Sequence, residues 1–398
     1  MSLLLARTSL ILRLSTKKPS LLIKGTSNSL IAPSSIHVAH LTAYGGSPPQ
    51  RKKPWPYKEK GFRYWHIPFD RVDSRLDDNS KIIIIDGNVA SGKTELGQKI
   101  AKEFDMLYVP DFTNSDMCDL IPEKGFDLRE FDPRVPVKTR TCDFEKFYSR
   151  KAPKKILDNF PREQYILFRR KLYRFAQKVM AHFLSTGQGI VMNRGMWSDI
   201  VFAHTLAKQG YMSQAALKAY KYQYEVATDY FWHPHLIIYL DAPVSFVRDR
   251  IKKRNVPWEV NSPVLTDEFL NTMNEVYKTV YLPHMRNHCE ILSYNLTENP
   301  VLDFGLVVEE MESLDLGNAP REHEQRFEDW KYLHNTDYNN MRSFCSPNNT
   351  QKLDEIFTFY KPFEAPELVL DGYDEEIYYE TLQTDPRIKY LKPDRVFL

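Results

Sequence analysis

Two glycines, a lysine and a threonine at fixed spacing carry the clearest chemistry in this chain. Residues 87–94 read Gly-Asn-Val-Ala-Ser-Gly-Lys-Thr, the G-x-x-x-x-G-K-[ST] pattern of a phosphate-binding loop. Glycines let the backbone curl so that successive N–H groups point at one anion. In that chemistry Gly87 and Gly92 shape the loop, Lys93 reaches the terminal phosphates and Thr94 holds Mg²⁺. The alternative is a loop that keeps its shape without its ligand. A second set of residues suits a metal by type: His284, His288 and Cys289 have i, i+4 and i, i+5 spacing. A capping or surface role is the expectation there, and Trp232-His233-Pro234-His235 is expected to be a turn.

A phosphate loop works only between a strand and a helix. The apolar run Ile82–Ile85 supplies the strand, and Leu96, Ile100 and Phe104, four apart, give the following helix a face to bury. From about 80 to 315 such units alternate. Strands are expected at 81–86, 106–110, 189–193, 236–240 and 290–294. Helices are expected at about 162–184, 213–230, 243–254 and 267–282, with Ser213 and Thr266 as caps. Short, wholly apolar strands alternating with helices imply an α/β fold: a parallel sheet with helices on both faces. Ligands of such sheets sit beyond the carboxyl ends of the strands, where both the loop and Asn193 fall.

The 398 residues carry 54 basic and 52 acidic side chains. The small excess is local: residues 1–58 contain no Asp or Glu, and without residues 1–40 the balance is slightly negative. A body so near neutrality gives no case for nucleic acid as a partner. The start, MSLLLARTSLILRLSTKKPS, is rich in Arg, Lys, Ser and Leu, the composition of a mitochondrial transit peptide. The alternative is a basic arm. No stretch reaches 18 uninterrupted apolar residues, so no transmembrane span is expected and any membrane contact is peripheral, through partners. Four separated cysteines without a C-x-x-C read as free thiols.

The expected division is therefore a transit peptide at 1–40, a Pro-rich basic linker at 41–79, the α/β domain at 80–316 and a C-terminal extension at 317–398. The extension keeps only Gly317 and Gly372 and gains fourteen aromatics between Phe327 and Phe397. A free tail is poor in aromatics, so this one is expected to lie extended over another protein, the alternative being packing on its own domain.

The loop, the phrase NRGMWSDIVF (193–202) and YLDAPVSFVRDRIKKR (239–254), in this order, resemble the deoxynucleoside kinase family of P-loop proteins over about 80–315. The resemblance implies a phosphate cradle, a glutamate base ending the second strand, an acidic-Arg-Ser triplet ending the third, a base-reading Gln on the long helix and a lid carrying arginines. Arg194, Arg250 and Arg254 match as possible phosphate ligands. Four positions depart. Val109 stands where the base is expected, with Asp111 the only nearby rescue. Asn193, neutral, replaces the metal-organising carboxylate, and Gly195 replaces the serine. Leu167 aligns with the base-reading Gln. Ala90 also replaces a loop glycine. Losing the base and the metal carboxylate together should make phosphoryl transfer negligible.

The presequence, the linker and the aromatic extension make the likeness strongest to the family's non-catalytic branch, the accessory subunits of respiratory complex I. That resemblance implies other complex I subunits as partners and a peripheral place on the matrix side of the mitochondrial inner membrane. It implies no required cofactor, with room for a bound nucleotide and Mg²⁺. The competing reading is an active mitochondrial deoxynucleoside kinase.

Overall fold

The computed structural model describes residues 40–44, 50–121, 126–150, 160–298, 301–317, 326–346, 350–357 and 365–387. All belong to one unit, residues 38–398. The expected transit peptide lies outside them apart from His40.

The apolar runs form five parallel strands: β1 Ile82–Gly87, β2 Leu107–Val109, β5 Ile190–Asn193, β6 Leu236–Asp241 and β7 Glu290–Asn295. The order across the sheet is β2-β5-β1-β6-β7. β1 takes the centre, pairing Ile82 with Ile190 on one side and Ile83 with Leu236 on the other. Successive strand side chains face opposite ways, yet all six residues of β1 are buried. Both faces of the sheet are therefore covered, as the unbroken apolar pattern requires. A separate antiparallel pair, β3 Asp119–Ile121 and β4 Phe126–Asp127, has no counterpart in the sequence reading.

The helix after the loop runs Lys93–Glu103, and the long helix runs from Phe160 to Thr186 through a π-helical segment, Phe175–Met180. It stops where Gly187 adopts a left-handed φ of 75°. Ser213 caps Gln214–Thr228 by accepting from the Ala216 N–H, and Thr266 caps Asp267–Val276 by accepting from Phe269. Asp199–Lys208 is a further helix, hydrophobic enough that its period is hidden. All four cysteines are buried free thiols.

Two expectations about the flanks are corrected. The described part of the expected Pro-rich basic linker, 41–79, packs on the domain rather than running free of it. These residues form 3-10 turns at Tyr64–Phe69 and Asp73–Arg75, bury Phe62 and Val72, and hydrogen-bond from Trp55 N to Ser185 O at 3.0 Å. Arg51, Arg71 and Arg75 among their basic side chains find carboxylates: Arg51 pairs with Asp77 at 3.1 Å and Asp105 at 2.5 Å.

The described C-terminal extension likewise packs on its own domain. It contributes the helices Asn335–Phe344, Thr350–Ile356 and Gly372–Gln383. Trp330, Tyr338, Leu353, Ile356, Phe357 and Leu382 are buried. Trp330 stacks 4.1 Å from His235 and meets Phe183 edge-on at 5.7 Å, while Phe357 meets Tyr165 and Phe168. Each helix is short and gives one or two anchors, so no period accumulates in the sequence. The two flanks also join. Val72 N donates to Asn335 Oδ1 at 3.0 Å, Phe62 N donates to Ser346 Oγ at 3.1 Å, and Arg342 pairs with Asp70 at 2.5 Å.

Candidate nucleotide cleft

At the carboxyl ends of β1 and β5, the loop opens on a cleft of about 740 Å³. Gly87 leaves β1 with φ 146°, and a Cβ there would stand 2.7 Å from the Leu240 carbonyl oxygen. Its own carbonyl accepts from Lys93 Nζ, Arg194 Nη2 and Tyr277 OH, each at 3.2 Å. Gly92 enters the helix with φ 96° and faces open space. Ala90 holds a left-handed φ of 54° without a glycine's freedom, a strain of about 1 kcal/mol.

Lys93 is buried and folded back on the loop. Besides Gly87 O, its Nζ donates to Asn88 O at 2.5 Å and Ser91 Oγ at 3.2 Å. Burial, with Arg194 nearby, holds its pKa well below the usual lysine range. Beneath it Asp86 is fully buried and accepts from Tyr281 OH at 2.6 Å, and burial raises its carboxyl pKa.

Asn193 ends β5 and joins loop to sheet. Its Nδ2 donates to Thr94 Oγ1 at 3.1 Å and to Tyr108 OH at 2.8 Å, while its Oδ1 is buried without a hydrogen-bond partner. Arg194 follows with φ 50°. Its guanidinium donates to Asp111 Oδ2 at 2.9 Å and lies 4.9 Å over the Phe202 ring. Burial is the largest influence and opposes its charge, but Asp111, Tyr277, Tyr148 and Asp86 together outweigh it and raise the pKa. At Gly195 a Cβ would stand 2.6 Å from Ile84 Cδ1 and 3.1 Å from the Trp197 ring. A serine there would have to displace that packing.

Val109 is buried at the end of β2, paired with Met192, and does not line the cleft. Two residues on, Asp111 does, and it is the carboxylate that Arg194 holds. Leu167 does line the cleft, packed with Met117 and Cys118. The expectation that the long helix offers an apolar group in place of a polar one is corrected, because Gln164, one turn earlier, lines the same wall. Its Nε2 donates to Asp199 Oδ2 at 2.8 Å. Asp199 also accepts from Tyr220 OH at 2.6 Å and pairs with Lys171. Sequence reasoning missed Gln164, Lys171 and Asp199. The polar residues interrupting the apolar face of the long helix were the available signal.

The lid helix, Val244–Arg254, brings Arg250 and Arg254 to the rim. Arg254 pairs with Glu259, whereas Arg250 lies 5.1 Å over Phe246. The lining carboxylates are engaged by the protein's own cations: Asp111 by Arg194, Glu259 by Arg254, Asp143 by Arg129, Glu163 by Arg162 and Glu95 by Lys99. Open space at Gly92 and four of the six lining cations, Lys93, Arg194, Arg250 and Arg254, fit the phosphates of a nucleotide. A divalent cation would find the Thr94 hydroxyl and a neutral Asn193, and would have to draw a carboxylate away from its partner.

The profile described as Deoxynucleoside kinase matches residues 83–335. The chain is 28% identical over 326 residues to a rat protein, NADH dehydrogenase [ubiquinone] 1 alpha subcomplex subunit 10, mitochondrial, covering 81% of this chain and 82% of that one. It is 31% identical over 260 residues to the bovine protein of the same name, covering 64% and 70%. The deoxyadenosine/deoxycytidine kinase of Bacillus subtilis is 27% identical over 229 residues, which is 86% of that enzyme and 56% of this chain. With a matched segment running through the whole sheet, the loop and the lid, the chain belongs to the deoxynucleoside kinase family.

Proposed function

We propose that this chain is a non-catalytic accessory subunit of mitochondrial respiratory complex I, peripheral on the matrix side, bound to other complex I subunits. The observation that carries the reading is the reach of the likeness. The rat complex I subunit matches four fifths of both chains, whereas the bacterial kinase is nearly used up on 56% of this one. No helix among the described residues is long and apolar enough to cross a membrane, which agrees with attachment through partners. In support of a lost kinase activity, Val109 sits outside the cleft, Asn193 spends its amide on Thr94 and Tyr108, and Asp111 is tied to Arg194. The cleft can still hold a nucleotide without turning it over.

One observation favours an active deoxynucleoside kinase instead: Asp111 and Gln164 both line the cleft, within the same cavity as Lys93. Two experiments separate the readings. On a native gel of mildly solubilised mitochondria, the chain should co-migrate with NADH dehydrogenase activity; migration alone or as a small dimer sinks the subunit reading. Purified protein with ATP and each of the four deoxynucleosides should give no turnover above a Lys93→Ala control. Deleting the extension is a poor test of assembly, because its anchors are buried in the domain and their loss would destabilise the fold directly.

A further inference from the structure

At the opposite end of the sheet, away from the cleft, the fold gathers three histidines. His233 precedes β6, His284 lies in the short helix Leu282–Met285 and His288 in the turn that follows it, before β7. One ligand-capable nitrogen from each lies within 4.8 Å of those from the other two. Cys289, which the sequence spacing groups with them, instead faces the core and donates to Met285 O. The third member, His233, comes from the irregular segment 232–235, which is not the turn expected there, and lies 51 residues before His284.

We propose that His233, His284 and His288 bind a first-row transition dication of the zinc type, with Asp329 of the C-terminal extension as the outer-sphere partner of His233. The donor set suits such an ion: imidazole nitrogen favours zinc, copper or nickel over magnesium or calcium. Asp329 Oδ2 stands 2.6 Å from His233 Nδ1 and accepts from the His233 backbone N–H at 2.8 Å. That bond places the proton on Nδ1 and leaves Nε2 as the lone-pair donor, the carboxylate–histidine–metal arrangement. Among the described residues, the His284 and His288 rings have no hydrogen-bond partner, only ring contacts with their neighbours, His233 to His288 at 3.8 Å and His284 to His288 at 5.2 Å. Three nitrogens around a tetrahedral zinc stand roughly 3.4 Å apart. Ligation calls for an inward shift of about 1 Å, taken by the exposed His284, and for His288 to tilt out of its stack. Water would take the fourth position.

The site is a clasp as much as a ligand set. The carbonyl of His233 accepts from Trp330 Nε1 at 2.8 Å, and that of His288 accepts from Phe327 N at 2.9 Å. An ion fixing the two rings would fix the segment 327–330 against the sheet.

The test uses the full chain, stripped with EDTA and carrying no histidine tag. Titration with Zn²⁺ by calorimetry, and with Co²⁺ by visible absorption, should give one equivalent and the intense d–d bands of a tetrahedral nitrogen site. His284→Ala removes an exposed ring that packs little, so the fold survives, and affinity should drop at least tenfold. Asp329→Asn should weaken binding 10–100-fold. His204→Gln, outside the cluster, should change nothing. Bound zinc should also slow tryptic cleavage after Arg326 and Lys331. Absence of saturable binding below about 10 µM overturns the proposal, as does binding that His284→Ala and Asp329→Asn leave unchanged.

Discussion

Replacing Trp330 by alanine tests whether the C-terminal extension is part of the fold. The indole is 2% exposed. It stacks on His235, lies 5.0 Å from Trp232, meets Phe183 edge-on and donates Nε1–H to His233 O. An aromatic of this size buries roughly 150–250 Å², which at about 25 cal/mol/Å² gives 4–6 kcal/mol for the whole ring. Alanine retains part of that contact, and measured Trp→Ala losses in cores run at about 3–5 kcal/mol. The orphaned carbonyl adds about 1 kcal/mol. We expect Trp330→Ala to cost about 4 kcal/mol in urea unfolding followed by far-UV circular dichroism. With a slope of about 3 kcal/mol/M, the midpoint falls by more than 1 M. Trp330→Phe keeps the stack and should cost about half as much. A loss under 1 kcal/mol for the alanine variant, with the transition still single, would refute the reasoning and return the extension to the role of a loose tail.

Gly187→Ala should cost at least 2 kcal/mol by thermal melting, because φ is 75° and the new Cβ would lie 2.1 Å from the Arg75 carbonyl oxygen. Gly92→Ala, facing open space, should pay only the backbone strain of about 1 kcal/mol. His235 is buried, accepts from Ile82 N–H through Nδ1, and burial depresses its pKa well below 6.5. Its stabilising effect is complete above the unfolded pKa and declines as pH falls below about 6.5, where only the unfolded chain takes up the proton. The stability gap between wild type and His235→Gln should thus narrow from pH 7 to pH 5, and a gap independent of pH refutes this. If the cleft holds a nucleotide, ATP or dATP at a hundredfold excess over Kd stabilises the chain by about 2.7 kcal/mol and Lys93→Met removes the effect. An unchanged wild-type melt in millimolar nucleotide ends that reading.

The sheet was readable because its strands are unbroken apolar runs, and all five fall within a residue or two of expectation. The loop was readable because phosphate geometry dictates residue type. Gln164 was not, since a soft alignment on an amphipathic helix can slip by one turn and exchange a polar wall residue for Leu167. Nor was the fate of the flanks. Arg51 and Arg342 look like solvated charges until Asp77, Asp105 and Asp70 are brought to them from afar. Short helices anchored by one aromatic each leave no period. The histidine cluster failed for a related reason: spacing along one helix proposed Cys289, and only tertiary structure could supply His233.

The union of the two flanks has a consequence in time. Val72 and Phe62 find Asn335 and Ser346, which lie 263 and 284 residues later in the chain. At roughly 5–20 residues per second of synthesis, the early segment waits on the order of 15–60 s for those partners to exist. This belt can close only once the later segment exists. A chain cut short before residue 335 would leave Phe62 and Val72 without the segment that holds them, an apolar mark distinguishing the unfinished protein from the finished one.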